Sequence, residues 1–526
     1  MAPSTVHLPD GQTFIVRPVF SGLQFTSNDM YSRRSRSPFP PGWTVVLHTE
    51  DERDDGSDQP SSHNKNSADG IEHGKDHEPI QPRIRKYTTP TLQGETVFIS
   101  SIVNPSSEDF EPAKSPSRHI ALMLWITLYW YFQQPEPQPH IETAQSRLTP
   151  AEARPKGEWR IRIKREGVLH SRNMIPKLER MGLISTLDSA VGTSVEENSE
   201  GWDRMYVTQQ GFWQIPFGLF LFTLQPKRHE SRPGSPDSSR PTSPNLTESH
   251  PKGHSHHHSP SGLLSADLPG GPIPTTMMNI PVHPITPYYS ASHMPTFYPP
   301  PPLQYVKTDG VRHPLRPKPP RMGEIFYTRH VPSAGKYLSF RVASASQNPV
   351  PYLGPTSHSG AKENGHLSNL SDTELIKKWM SNPRVTKFWG NYHDKFLSDG
   401  LNSQHSFPAI GMWDGEPFGY FEIYWAKEDI LGKHVHVDDF DRGIHVFIGE
   451  EWARGSVPLW SSGLAHWIWQ ADNRTMNICL EPRIDNERFI DHLQKQGFQK
   501  VRQISFPHKQ SWLVRMARDT WTAPNL

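Results

Sequence analysis

Between Pro226 and Arg321 the chain holds nothing from which a folded core could be built. That tract includes "SRPGSPDSSRPTSPNLTESHPKGHSHHHSPSG" and, further on, "FYPPPPLQYVKTDGVRHPLRPKPPR". Apolar side chains are too sparse there to offset the entropy of ordering, and the prolines favour extended backbone. The tract reads as a disordered linker, so folding must happen on either side of it. A shorter stretch of the same kind runs from about Asp51 to Gln81. These two account for a chain of 526 residues with 53 prolines and only 34% hydrophobic residues.

Several function classes fall away at this level. Lys and Arg number 55 against 54 for Asp and Glu, a formal charge of +1, so nothing global points to nucleic acid or an anionic membrane as partner. Cys479 is the single cysteine, which excludes a disulfide framework and suits a reducing compartment. Its setting, "TMNICLEP", reads as a buried strand. His254 and the run His256–His258 have no acidic or cysteine partner at a fixed spacing, and no metal site is expected. The opening "MAPSTVHLPDGQTF" lacks a secretory pattern, and "TAPNL" at the end is not a peroxisomal address. The most apolar run, Ile120 to Phe132, is too short to span a bilayer and reads as a core helix. The expectation is a soluble cytoplasmic protein.

Residues 1–225, less the insertion at 51–81, read as a mixed α/β module. Strand-like runs ("QTFIVRPVF", "GWTVVLHTE", "GETVFISSI") mix with helical ones around Ala121 and Asn173, the latter ending at Gly182. No catalytic constellation stands out. Residues 322–526 alternate strands and helices more legibly, which argues for an α+β sheet domain. "SDTELIKKWMSNPRVTKFW" reads as a helix entered through Ser371 with Glu374 three residues on, a capping box. "PFGYFEIYWA", "GIHVFIGE" and "TMNICLEP" read as strands, "PLWSSGLAHWIWQAD" and "NERFIDHLQKQ" as helices, and "KVRQISF" and "SWLVRMA" as a final strand pair.

One stretch concentrates chemistry. In "GIHVFIGE", Ile444, Val446 and Ile448 alternate onto one face, which puts His445 and Phe447 on the other. Just after it, Arg454, Gly455 and Ser456 precede a helix. A glycine that admits close backbone approach, free N–H groups at a helix start and a guanidinium are the physics of a pyrophosphate cradle; a bare surface loop is the plainer reading. In "LEPRIDNERFIDHLQKQGF", Asp485 or Asn486 is a natural N-cap, Phe489 and Leu493 form a buried face, and Gly497 closes the helix.

Taken in order, "WMSNPRVTKFWG", "PFGYFEIYWAKED", "GIHVFIGE" and "EPRIDN…LQKQGF" resemble the siderophore-type acyltransferases of the GNAT fold, over roughly the last 160 residues. The turn "RGSVPLW" departs from the family's usual pattern by lacking its second small residue. The resemblance implies an acyl-CoA-dependent enzyme, without metal, that acylates the hydroxylamine nitrogen of N5-hydroxyornithine. It makes His445 the candidate base and Asp485 the group that orients it or holds the substrate ammonium. Arg454, Gly455, Ser456 and Asn486 would bind the cofactor, while Arg384, Asn391 and Glu422 would meet the zwitterionic acceptor between Trp389, Tyr424 and Trp425. Acetyl-CoA is the favoured donor, in part because no peroxisomal address is seen. A bulkier donor such as anhydromevalonyl-CoA, a protein-lysine acetyltransferase and a non-catalytic GNAT-like scaffold stay open as alternatives.

Overall fold

A computed structural model describes residues 2–20, 22–28, 42–51, 83–92, 94–103, 116–170, 174–186, 205–217, 303–357 and 364–525. The histidine run and most of the proline tract lie outside these residues.

The first half forms a nine-stranded sheet from β1 (Ser4–His7), β2 (Thr13–Val19), β3 (Gly22–Ser27), β4 (Gly42–Asp51), β5 (Arg83–Lys86), β6 (Glu95–Val103), β7 (Arg160–Ile163), β8 (Ser185–Thr186) and β9 (Met205–Thr208). A hairpin follows, β10 (Tyr305–Thr308) with β11 (Val311–Pro314). The second half forms an eight-stranded sheet from β12 (Ile325–Val331), β13 (Lys336–Val342), β14 (Ser406–Trp413), β15 (Glu416–Trp425), β16 (Arg442–Ile448), β17 (Asn477–Leu480), β18 (Gln499–Ser505) and β19 (Gln510–Ala517).

The two sheets have one topology. The first runs β1-β2-β3-β4-β6-β7-β9-β8 with β5 appended to β4, and the second runs β12-β13-β14-β15-β16-β17-β19-β18. Each is antiparallel except at one pair, β6–β7 or β16–β17, which is parallel and in register at only two positions. A parallel pair needs a crossover, and helices Pro116–Tyr131 and Val457–Ala471 supply it. Both are apolar on nearly every side and are buried behind their sheets, as a helix without a polar face must be. The chain builds the same sheet twice.

One core joins the halves. His466, on the second crossover helix, bonds the Trp213 carbonyl through Nε2 (2.8 Å) and the Tyr327 hydroxyl through Nδ1 (3.0 Å). Burial pushes its pKa down to about 3, so it bridges the two sheets as a neutral ring.

Three elements differ from the sequence reading. The helix expected from Ser371 to Trp389 is two, Asp372–Met380 and Pro383–Trp389, because Pro383 has no N–H to continue the first and Asn382 caps the second through Arg384 N (3.0 Å). The capping box of Ser371 and Glu374 is present. Strand β14, which carries Pro408 near its start, is absent from the sequence reading, and the β10–β11 hairpin lies inside the tract read as linker. That hairpin turns at Asp309-Gly310, both with positive φ, and is followed by Arg316, which chelates Glu428 (2.6 Å to each oxygen).

Candidate active site

Strands β16 and β17 pair at Arg442–Ile478 and Gly443–Cys479, then diverge. Past that point one edge of β16 has no neighbouring strand among the described residues. Trp389 Nε1 and Arg384 cover its carbonyls at Val446 (3.3 Å) and Ile448 (2.9 Å). The gap opens into a cavity of about 600 Å³. Aromatic side chains, Phe388, Trp389, Phe447, Trp460 and Phe489, line it together with cations.

His445 stands in the mouth of the gap between two carboxylates. Nε2 lies 2.5 Å from Glu481 Oε1, and Nδ1 lies 3.4 Å from Glu422 Oε2. Both acids are fixed in turn. Tyr424 donates to Glu481 Oε2 (2.7 Å) from beneath the imidazole, and Ser406 donates to Glu422 Oε1 (2.7 Å). Behind them Asp429 pairs with His405 (3.2 Å). Burial alone would lower the pKa of His445, but Glu481 and Glu422 outweigh it and lift the pKa well above 6.5. The converse holds for Glu422, kept below the usual carboxylate range by His445 and Ser406 despite its burial. At neutral pH His445 is therefore an imidazolium, lying between the carboxyl groups of Glu481 and Glu422. Asp429, His445 and Glu481 bring three potential ligand atoms within 4.8 Å of one another. With both imidazole nitrogens already bonded to carboxylates, the imidazolium supplies the positive charge that a metal would bring.

The model of a family described as acetyltransferase (GNAT) domain matches residues 369–506. Over 97% of its length the chain is 51% identical to the N5-hydroxyornithine acetylase sidL of Beauveria bassiana, covering 100% of that protein. The chain belongs to the siderophore-type GNAT acyltransferases. It is also 37% identical to the N(6)-hydroxylysine O-acetyltransferase of Escherichia coli, over 38% of this chain and 58% of that protein. To the N(5)-hydroxyornithine:cis-anhydromevalonyl coenzyme A-N(5)-transacylase SIDF of B. bassiana it is 32% identical, over 39% of this chain and 42% of that one.

Within this acyltransferase the residues singled out from sequence are placed unevenly. Arg454, Asn486, Trp389, Arg384 and His445 all line the cavity. Gly455 and Ser456 do not: Ser456 Oγ is spent on the Ala453 carbonyl (2.6 Å) within a 3-10 turn, Glu451–Ser456. Asp485 does not reach His445. Arg483, two residues before it, chelates it (2.6 and 2.7 Å) in an exposed loop, and Glu481 occupies the place expected for it. Arg384, expected at the acceptor, lies at the Arg454 end instead, 3.5 Å from Glu451. Asn391 is exposed, because Gly390 (φ +78°) turns the chain away from the cavity. Trp425 is no wall of the cavity either; its ring lies against the guanidinium groups of Arg442 (3.3 Å) and Arg316 (4.3 Å). Glu422 and Tyr424 pack against His445 and do not line the cavity. Glu481, Asp429, Arg488 and Lys509 were missed. "CLEP" did carry a signal for the first, a carboxylate at the end of a buried apolar strand.

The repeat of the fold does not repeat the site. In the register of the first sheet, Val45 and Ile99 stand where Glu422 and His445 stand in the second, and Arg165 takes the position of Glu481. There the gap beyond the parallel pair is filled. The turn at Gly167 (φ +56°) lies so close to β6 that a Cβ on it would overlap the Ile99 carbonyl.

Proposed function

We propose that this protein transfers an acetyl group from acetyl-CoA to the hydroxylamine nitrogen of N5-hydroxyornithine, giving a hydroxamate for siderophore assembly, in the cytoplasm. The observation that carries the reading is the Glu481–His445–Glu422 clamp, set where two strands part to leave an unpaired backbone edge. Acetyl is favoured over a bulkier acyl group because the full-length likeness is to an acetylase, whereas the likeness to an anhydromevalonyl transacylase covers 39% of the chain.

The cavity suits an acyl-CoA. Arg454, Arg384 and Arg488 would meet its phosphates, beside the start of the Val457–Ala471 helix, and the aromatic side chains would take the pantetheine arm. The bound thioester supplies an activated acyl carbon. Backbone N–H groups on the free edge of β16 would face its oxygen as charge develops. Trp389 and Phe447 confine the acceptor beside His445, converting an encounter into a held geometry.

A neutral imidazole is not the base in this arrangement. The clamp as a unit accepts the proton that the nitrogen sheds as the N–C bond forms. As the C–S bond breaks, the same proton returns to the leaving sulfur, which leaves as the thiol. A hydroxylamine is a good nucleophile without deprotonation, so the clamp contributes towards the lower side of the ~10²–10⁴-fold usual for acid–base help.

The test is purified protein with N5-hydroxyornithine and a panel of acyl-CoAs, read by thiol release and by the coloured ferric hydroxamate. Signal with acetyl-CoA is the expected result. Signal with bulky donors alone moves the enzyme to the other branch. Thiol release with ornithine but not with its hydroxylamine overturns the acceptor. Folded protein that binds CoA and turns nothing over is a scaffold.

A further inference from the structure

The cations of the cavity fall into two groups by what they touch. Arg384, Arg454 and Arg488 belong to the end beside the Glu451–Ser456 turn. At the other side the tip of the β18–β19 hairpin, closed by Phe506 N to the Lys509 carbonyl (2.9 Å), brings His508 and Lys509 to the wall. Arg483 shares this rim, but its charge is met by Asp485 on both nitrogens. Lys509 has no such partner. Among the described residues no carboxylate forms an ion pair with it; its Nζ donates to the main-chain carbonyl of Glu481 (3.0 Å) and leans over the Phe506 ring.

We infer that Lys509 binds the α-carboxylate of the amino-acid acceptor, a reading that rests on the function proposed above. The ammonium sits on the backbone of the residue whose side chain holds His445, so one glutamate separates the clamp from the cation. In N5-hydroxyornithine five covalent bonds separate the reacting nitrogen from the carboxylate carbon, ~6 Å when extended. A substrate with its nitrogen at His445 and its chain along Glu481 ends at Lys509. Three ammonium donors, one of them spent on Glu481, leave two for a carboxylate. The partly buried site makes that charge-assisted bond count for more than it would in water.

The experiment compares two acceptors, N5-hydroxyornithine and its decarboxylated counterpart N-hydroxyputrescine, in the full-length enzyme and in Lys509→Met. The expected result is a roughly ten- to hundredfold loss of kcat/KM on hydroxyornithine, expressed in KM, and a loss at least tenfold smaller on hydroxyputrescine. Lys509→Arg, which keeps the charge, should recover part of the loss. Should Lys509→Met fold poorly, the unmodified enzyme still decides: it must prefer the carboxylated acceptor by tenfold or more. Equal losses on both acceptors, or no preference in the unmodified enzyme, overturn the inference and leave the proposed function standing. Turnover of neither hydroxylamine by the unmodified enzyme overturns both.

Discussion

Glu481 holds His445 from across the gap where two parallel strands part, its Oε1 2.5 Å from Nε2 and two residues beyond the last paired position of β17, Cys479. The acid is buried, Tyr424 donates to its other oxygen, and Lys509 holds its main-chain carbonyl. In the proposed mechanism it is a member of the proton-accepting unit. Glu481→Gln keeps the shape and removes the charge, so kcat should fall by about 10²-fold while KM for acyl-CoA stays near its original value. Steady-state thiol release measures both. A loss of less than about threefold would remove Glu481 from the mechanism.

Stability should depend on pH through the same clamp. His445 has its pKa raised on folding, above 6.5, so its contribution is complete below 6.5 and is lost as pH climbs through the folded value. Glu422 has its pKa depressed below 4.5, so its contribution is complete above 4.5 and is lost as pH falls through the folded value. Both contributions are whole between those two values. The gap in Tm between the unmodified enzyme and His445→Gln, followed by calorimetry, should be widest there and narrow towards alkaline pH. A gap that widens on the alkaline side contradicts a charged His445. For the same reason His445→Ala is a poor probe of catalysis alone: it strands a buried carboxylate, a change that costs on the order of 3–5 kcal/mol in itself.

How much of this was readable is instructive. The strands of β15 and β16 and the capping box at Ser371 follow from alternation and local spacing, which a sequence displays directly. Strand β14 hides behind Pro408, a residue that argues against a strand. The β10–β11 hairpin was lost to its surroundings, although Asp309-Gly310 between alternating residues is a hairpin signal in its own right. His445 could be picked from its strand. Its partner could not, because Glu481 lies 36 residues on and meets it only through a parallel pair whose register no local pattern encodes. Asp485 drew the assignment instead, while its attachment to Arg483, two residues away, was the local and legible contact.

Gly443 is fixed by what lies over it. A Cβ built there would land inside the ring of Tyr424, which is fully buried and bonded to Glu481. Gly443→Ala forces that ring to move and should cost about 1–3 kcal/mol, seen as a lower Tm. Activity should fall further than stability alone explains, since the displaced hydroxyl no longer fixes Glu481. Unchanged turnover in the folded variant would show that Tyr424 does not position the clamp.

Arg454 offers a cleaner separation of binding from folding. Its partner Glu451 is 2.7 Å away, and the two side chains are 39% and 72% exposed, so the ion pair adds little to the fold. Arg454→Ala should leave Tm within about one degree of the original. Loss of a charge-assisted bond to a phosphate should raise KM for acyl-CoA roughly tenfold, with KM for the acceptor unmoved. The effect should shrink as salt rises, because salt weakens the original contact. A rise in acceptor KM instead would place Arg454 at the wrong end of the cavity.

The duplicated sheet makes a prediction about stoichiometry. A second copy of an acyltransferase topology invites the expectation of a second acyl-CoA site, and the first sheet argues against it on two independent grounds. Its gap is closed by the Gly167 turn lying on Ile99, which removes the room for a pantetheine arm. Val45 and Ile99 stand at the positions of Glu422 and His445, and neither side chain can accept a proton. What the first copy does provide is Trp213, whose carbonyl holds His466 at the back of the catalytic half. Titration calorimetry with CoA should therefore give one site per chain. Arg454→Ala should weaken all of that binding, leaving no unaffected fraction; a second site that survives the substitution would mean that the first cleft opens.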